Sequence, residues 1–348
     1  MEEENERRHF SEIPPAMLWE ILGRLPIKTC LTCQLVCKEW YHIIVNKKFS
    51  SFRSMCNASR FALLFHDVKS GDDGLVFNLV EIDKELDVDG SQKCVVGVDR
   101  MIRVHPKIDT FNEIWYVRSH CNGVVCFIST KIDYFVCNLL TGQHVKLQNM
   151  HEIRNQSSSI SSCVLGCCPT SRKFKILMLL SDMTTNIQVA KIQTLGNDEW
   201  RNVGNAPLKI TADGCFLNGS SHWLDHNYIW SFHFEEEKFS QIPLPDDVIP
   251  QASKKKNMIL SVCDSCLCLS WFSKGDSVEV DTWIMKKYGV KESWVKHMDK
   301  EKILINSEYE LYLYDLPTHV SKRVEFGLYE LSGPMLRIAP FDANFSKF

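Results

Sequence analysis

Long apolar runs are missing from this 348-residue chain, and so is an excess of charge of either sign. The opening MEEENERRHF is charged and leads into no uninterrupted apolar stretch, so neither a secretory signal nor a membrane span is expected. A formal net charge of -3 with interspersed signs leaves no broad basic field for nucleic acid. The one short basic run, Lys254-Lys255-Lys256, reads as a solvated loop before it reads as a nuclear address. Hydrophobic (45%) and charged (24%) fractions are ordinary for a globular protein, which excludes a disordered or fibrous chain.

Signatures of bond chemistry are missing too. There is no G-x-x-x-x-G-K-[ST] phosphate cradle, no dinucleotide glycine fingerprint, no H-E-x-x-H and no G-x-S-x-G turn. Gly71-Asp72-Asp73-Gly74 suits a polar hairpin tip better than a metal loop. His222, Asp225 and His226 are metal-capable, yet on one strand they splay to opposite faces. Cys121 follows His120 directly, and neighbours on a strand point apart, so they make no thiolate and base pair. No metal, cofactor or catalytic residue is therefore expected.

Cysteine, by contrast, is plentiful. Fifteen cysteines with no signal peptide in front of them read as reduced, mostly buried thiols rather than as a disulfide framework. Two C-x-x-C pairs occur, Cys30/Cys33 and Cys263/Cys266, with Cys268 beside the second. Zinc needs four convergent ligands, and these pairs lie in a helical and a strand-rich region far apart. The sequons at Asn57, Asn155, Asn218 and Asn344 carry no weight without an export signal.

The richest stretch is Ile13 to Phe49. Pro14 and Pro15 suit the opening turn of a helix, and Leu18, Ile21, Leu22 and Leu25 recur at i, i+3, i+4 and i+7. Pro26 should end that helix, Thr29 should cap a second carrying Leu31 and Leu35, and Trp40, Ile43 and Ile44 mark a third. A unit of about 40 residues is below the size that normally sustains its own core. It also carries more large apolar side chains than it can hide alone, so part of that face must be buried on something else.

Residues 50–60 read as a packed connector, after which the helical period gives way to short strands and turns. Val278, Val280, Thr282 and Ile284 alternate with Glu279, Asp281, Trp283 and Met285, and Trp230, Phe232 and Phe234 alternate with Ser231 and His233. GVVCFI from Gly123 and LYLYDL from Leu311 are apolar on both faces and suit interior strands. A loose repeat of strand, turn and strand runs through FVCNLLTGQHVKL, KIQTLGNDEWRNV, WSFHFEEEKFSQI, WIMKKYGVKESWV and LYLYDLPTHVSKRV. Its intervals average roughly the 40 to 50 residues of a propeller blade, but too irregularly to count blades. Trp200, Trp223, Trp283 and Trp294 are expected as core anchors, and Asn218-Gly219 and Thr141-Gly142 as tight turns. A pair of β-sandwiches is the alternative architecture.

The helical string resembles the F-box. The matching residues are Ile13-Pro14, Leu18, Ile21-Leu22, Leu25-Pro26, Val36-Cys37-Lys38 and Trp40. Ile13 stands where leucine is common, Ala16 where an acid is frequent, and Thr32 and Gln34 where arginine often occurs. The strands resemble the F-box-associated, Kelch-like domain of plant F-box proteins through SHCNGVVCF, NLLTG, LGCCPTSRKFKIL, GCFLNGSSHWL, FHFEEEKFSQIPLP, TWIMKKYGVKESWVKH and RIAPFDANF, in that order. The resemblance implies a tail (1–12), an all-α F-box of three short helices (13–49), a connector (50–60) and a large all-β, irregular propeller-like domain (61–348). It implies a non-catalytic substrate receptor of an SCF-type ubiquitin ligase, in the cytoplasm, the nucleus or both. A Skp-type adaptor, and through it cullin and RING subunits, would be held by Ile13, Pro14, Leu18, Ile21, Leu22, Leu25, Pro26, Leu31, Val36, Cys37 and Trp40. The alternative is a stand-alone Kelch-like binding module or enzyme.

Overall fold

The computed structural model describes residues 13–57, 60–67, 76–83, 93–96, 101–106, 108, 115–148, 153, 158–182, 184–185, 187–207, 210, 214–225, 228–245, 258–263, 265–273, 279–297, 302–307, 310–315, 320–326 and 336–340. The tail 1–12, the Gly71 to Gly74 tip, His226, Lys254 to Lys256, Val278 and the sequons at Asn155 and Asn344 lie outside the described residues.

Four helices come first. α1 (Pro15–Arg24) starts on proline, whose fixed φ is already helical, and stops at Leu25, which Pro26 forces into an extended conformation. α2 (Ile27–Cys33) follows at once, with Pro26 rather than Thr29 in the capping position. Thr29 lies inside the helix, and the N–H of Ile27 donates instead to the Glu81 carboxylate at 2.5 Å, a cap supplied from far along the chain. α3 (Lys38–Ile44) carries Ile43 and Ile44 on its buried side. Where the sequence suggests a packed connector, residues Phe49–Cys56 form a fourth helix, α4. Phe49 and Arg53 face inward along it, and Trp19 of α1 meets Phe49 and Phe52 edge-on at 5.8 and 5.6 Å between ring centroids. Ser50, Ser51 and Ser54 are weak helix formers, which hides this helix from a reading of local pattern.

Among the described residues the remaining regular structure is strand, in six four-stranded sheets, apart from one turn of 3-10 helix at Lys291–Ser293. β1 (Arg60–Asp67), β2 (Phe77–Asp83), β3 (Lys93–Val96) and β4 (Met101–Val104) come first in the chain. β1, β2 and β4 form the first sheet, whose outermost strand is the last in the chain. The second sheet holds β5 (Trp115–Cys121), β6 (Val124–Ser129), β7 (Tyr134–Asn138) and β8 (His144–Lys146). The third holds β9 (Ser158–Cys167), β10 (Phe174–Asp182), β11 (Gln188–Thr194) and β12 (Arg201–Ala206). The fourth holds β13 (Cys215–Leu217), β14 (Ser220–Leu224), β15 (Tyr228–His233) and β16 (Lys238–Pro243). The fifth holds β17 (Met258–Cys263), β18 (Cys266–Ser273), β19 (Glu279–Met285) and β20 (Trp294–His297). The sixth joins β21 (Lys302–Ser307), β22 (Glu310–Asp315) and β23 (Val320–Phe326) to β3, the one parallel pairing among the described strands. β24 (Leu336–Pro340) then returns to pair antiparallel with β1, so the chain's last strand closes its first sheet. Closing the first sheet with a strand from the far end of the chain is how a propeller ties its ends together, leaving only short strand edges.

Successive sheets pack face to face. Trp115 and Phe127 of the second sheet meet Phe77 and Leu79 of the first; Cys126 and Val136 of the second meet Leu165 and Met178 of the third. Leu177 and Ile192 of the third meet Trp223 and Phe232 of the fourth, and Ile229 and Ile242 of the fourth meet Leu269 and Trp283 of the fifth. Because the second, third and fourth sheets are each covered on both sides, period-two alternation does not mark solvent there. β6 is buried at every position from Val124 to Ser129, and Thr282 and Ser231 are as buried as the Trp283 and Phe232 beside them. Of the four anchors, Trp223, Trp283 and Trp294 are buried, while Trp200 is half-buried with its Nε1 donating to Gln148 O at 3.1 Å. Asn218 and Gly219, at φ 51° and 76°, make the two-residue turn between β13 and β14. The five repeat strings fall on hairpins of five different sheets.

Candidate docking surface on the helical unit

The four helices share one core with the first two sheets. Leu18, Leu22, Ile27, Cys30, Cys33, Ile43, Ile44 and Phe49 are packed in a single cluster with Leu64, Phe77, Leu79, Trp115, Phe127 and Leu139. Among the residues that the sequence points to for adaptor contact, this core takes Leu18 and Leu22 completely. Ile13, Leu25, Leu31 and Trp40 are half-buried against it. Pro14, Ile21, Pro26, Val36 and Cys37 are exposed. The i, i+3, i+4, i+7 row of α1 therefore divides, with Leu18, Leu22 and Leu25 turned toward the sheets and Ile21 turned away.

Three further apolar residues join the outward face. Met17 is 55% exposed one turn before Ile21 on α1, and Tyr41 is 42% exposed on α3. Leu35 does not extend the α2 face as its spacing suggests. The helix ends at Cys33, the N–H groups of Leu35 and Val36 donate to Thr32 O and Cys33 O in a tightened last turn, and Leu35 projects 85% exposed. With Met55, six of the thirteen exposed large apolar side chains among the described residues belong to 13–57, above that segment's share of the described residues. Lys28 on α2, Lys38 and Glu39 on α3, and Lys47 and Lys48 in the turn after it are exposed charged residues of the same unit.

The unit is also fixed in orientation. The Glu81 carboxylate of β2 accepts from the Ile27 N–H and from the Arg53 guanidinium of α4, with both charged side chains largely buried. Arg53 donates in addition to Leu25 O at 3.1 Å, just where α1 stops. One ion pair thus holds the end of α1, the start of α2, the middle of α4 and the first sheet together.

Other chemistry-bearing residues are occupied structurally. Cys30 is buried, its Sγ 3.4 Å from Leu22 O, and burial pushes its thiol up to about 11. Its neighbour Cys33 is raised for the same reason. Cys263 and Cys266 face each other across the β17–β18 hairpin, and the cysteines whose side chains are described are free thiols. His222 is fully buried and lies 2.7 Å through Nε2 from the Tyr288 hydroxyl; Asp225 accepts from Trp230 Nε1 at 3.3 Å. No group of three or more His, Cys, Asp or Glu among the described residues is placed to hold a metal ion.

Comparison with known proteins agrees with this architecture. Residues 81–324 match the family model of the F-box associated beta propeller domain, and residues 10–58 match that of the F-box domain, which takes in α4. The Arabidopsis thaliana F-box protein At3g07870 is 23% identical over 82% of this chain and 72% of its own length. F-box/kelch-repeat protein At3g23880 from the same plant is 24% identical over 84% and 81%, and putative F-box protein At4g21240 is 29% identical over 82% and 67%. A helical unit with an outward apolar face, seated on a propeller that matches over most of its length, places the chain in the family of F-box proteins that carry an F-box associated beta propeller domain.

Proposed function

We propose that this chain is the substrate-recognition subunit of an SCF-type ubiquitin ligase. The helical unit docks on a Skp-type adaptor, which brings cullin and RING subunits, and the propeller holds the target protein. The observation that carries this reading is the concentration of exposed apolar side chains, Met17 and Ile21 on α1, Leu35 and Val36 in the turn after α2, and Tyr41 on α3, in a helical unit whose inner faces are already sealed. An apolar patch with a charged rim is the form a protein-binding surface takes, with a few large side chains supplying most of the affinity.

Such a receptor makes and breaks no bonds itself. It raises the effective concentration of target lysines near the conjugating enzyme, which is a matter of positioning. A work site in the cytoplasm or nucleus accords with that role, and no helix among the described residues is long and apolar enough to cross a membrane.

The test uses Ile21→Asp with Leu35→Asp, both at exposed positions where the fold loses little. Leu25→Asp is unsuitable because Leu25 is half-buried and its carbonyl is bonded to Arg53. Co-purification with adaptor and cullin should be lost while the melting temperature stays within a few degrees of wild type. Retention of adaptor by this folded variant overturns the proposal.

A further inference from the structure

A second exposed apolar surface lies far along the chain, on the outer hairpin of the fifth sheet. Between β19 and β20 the sequence reads Lys286-Lys287-Tyr288-Gly289-Val290-Lys291-Glu292-Ser293, and residues 286–290 are all exposed. The tip is nevertheless tightly built. Lys286 N donates to Ser293 O and Val290 N to Lys287 O, both at 3.1 Å. Lys287 N donates to Ser293 Oγ and Gly289 N to Met285 Sδ, both at 3.0 Å, with Gly289 at φ 77°. Tyr288 reaches across to the fourth sheet, where its hydroxyl meets buried His222 at 2.7 Å and its ring stands edge-on to the imidazole at 5.6 Å. One end of the phenol is thereby pinned while the residue stays 44% exposed.

Two of the seven exposed large apolar residues on the described part of the propeller, Tyr288 and Val290, lie on this one tip. The charge is one-sided. Lys286 and Lys287 stand side by side and exposed at this tip, on a chain whose net charge is -3. Lys286 and Lys287 make no ion pair among the described residues, whereas Lys296 is already engaged, 2.6 Å from Asp281 and over the Trp283 ring.

We propose that this hairpin is a target-docking surface and that it takes an acidic protein segment carrying an aromatic or aliphatic residue. The reading rests on the propeller's role as target holder and adds where and by what chemistry it holds. A pinned aromatic ring offers apolar contact with little rotamer freedom left to lose on binding. Two unpaired lysines beside it select carboxylates and disfavour basic segments. Nucleic acid fits less well, since a phosphate backbone calls for a longer basic track than three lysines on one hairpin.

The full-length chain in complex with its adaptor is titrated, by fluorescence anisotropy, into fluorescein-labelled dodecapeptides bearing several Glu around one Phe or Leu. Peptides with Lys in place of Glu and a single-stranded oligonucleotide serve as comparisons. Glu-rich, apolar-centred peptides should bind, weaken as NaCl rises from about 0.05 to 0.3 M, and bind about tenfold more weakly to Lys286→Glu/Lys287→Glu. Lys286→Arg/Lys287→Arg should retain binding. Both lysines are exposed, so the charge-reversal variant should still capture adaptor, which separates this proposal from the ligase assignment. Absence of acidic-peptide binding, equal binding to the charge-reversal variant, or tighter binding of the oligonucleotide overturns it.

Discussion

Arg53 carries its positive charge into an interior that is otherwise apolar, and Glu81 is there to meet it. Breaking such a pair from one side leaves the other charge buried without compensation, a loss of about 3–5 kcal/mol. Arg53→Met should therefore lower the unfolding free energy by about that amount in a urea titration. Arg53→Met with Glu81→Gln should recover part of it, and a double variant no better than the single one would mean that the charges are not coupled. His222 supplies a different test at the same scale. Burial pushes it down from the ordinary 6.5 to about 4, so the folded chain refuses a proton that the unfolded chain accepts below pH 6.5. Its contribution is intact above about pH 6.5 and is lost as pH falls toward 4, by about 2 kcal/mol at pH 5 and about 3 in full. Stability curves at pH 7 and pH 5 should converge by about 2 kcal/mol in His222→Gln relative to wild type. An equal pH 7 to pH 5 loss in both proteins would show that His222 is not the group responsible.

Neighbouring sheets are locked by single close approaches. A Cβ on Gly166 of β9 would lie 2.0 Å from Cε2 of Phe234, at the end of β15, so the third and fourth sheets meet here only because position 166 has no side chain. The same turn is tied by Lys175, whose Nζ donates to Phe234 O at 2.7 Å and to Glu237 at 2.8 Å, and by Arg201, which holds Glu237 with two nitrogens. Gly166→Ala should cost about 1–3 kcal/mol by overpacking. Adding Phe234→Leu should make the alanine cheaper than it is alone, as a double-mutant cycle in urea would read. The Gly166 contact is absent from local pattern, whereas much else at this scale is written in it. Proline punctuation marks α1 and its junction with α2, and the turn-bearing strings at 135–147, 191–203, 230–242, 283–295 and 311–324 each fall on a separate sheet. The first sheet had no such string, because β24 and β1 come from opposite ends of the chain and β3 leaves to pair elsewhere. Nor could spacing alone sort Leu18 and Leu22 from Met17, Ile21 and Leu35. Which side of a helix faces outward depends on where the propeller lies, and that pairing is nonlocal.

The helical unit and the propeller share one core, and this determines which experiments on the whole molecule are informative. Leu64, Phe77, Leu79 and Trp115 of the first two sheets are sealed by Leu22, Ile27, Ile44 and Phe49 of the helices. Deleting 13–57 would uncover that surface and remove both the Arg53 partner of Glu81 and the Ile27 N–H that it accepts. A truncated propeller should bind a hydrophobic dye such as ANS, unfold at lower urea than the full chain and aggregate on concentration. The intact protein should unfold with coincident tryptophan-fluorescence and far-ultraviolet circular-dichroism curves, because helices and first sheets cannot open separately without exposing the same side chains. A truncated propeller that is dye-silent and keeps its urea midpoint would show instead that the helices are an appendage. The adaptor and the target would then be joined by a hinge, and the geometry between them would not be fixed by this chain.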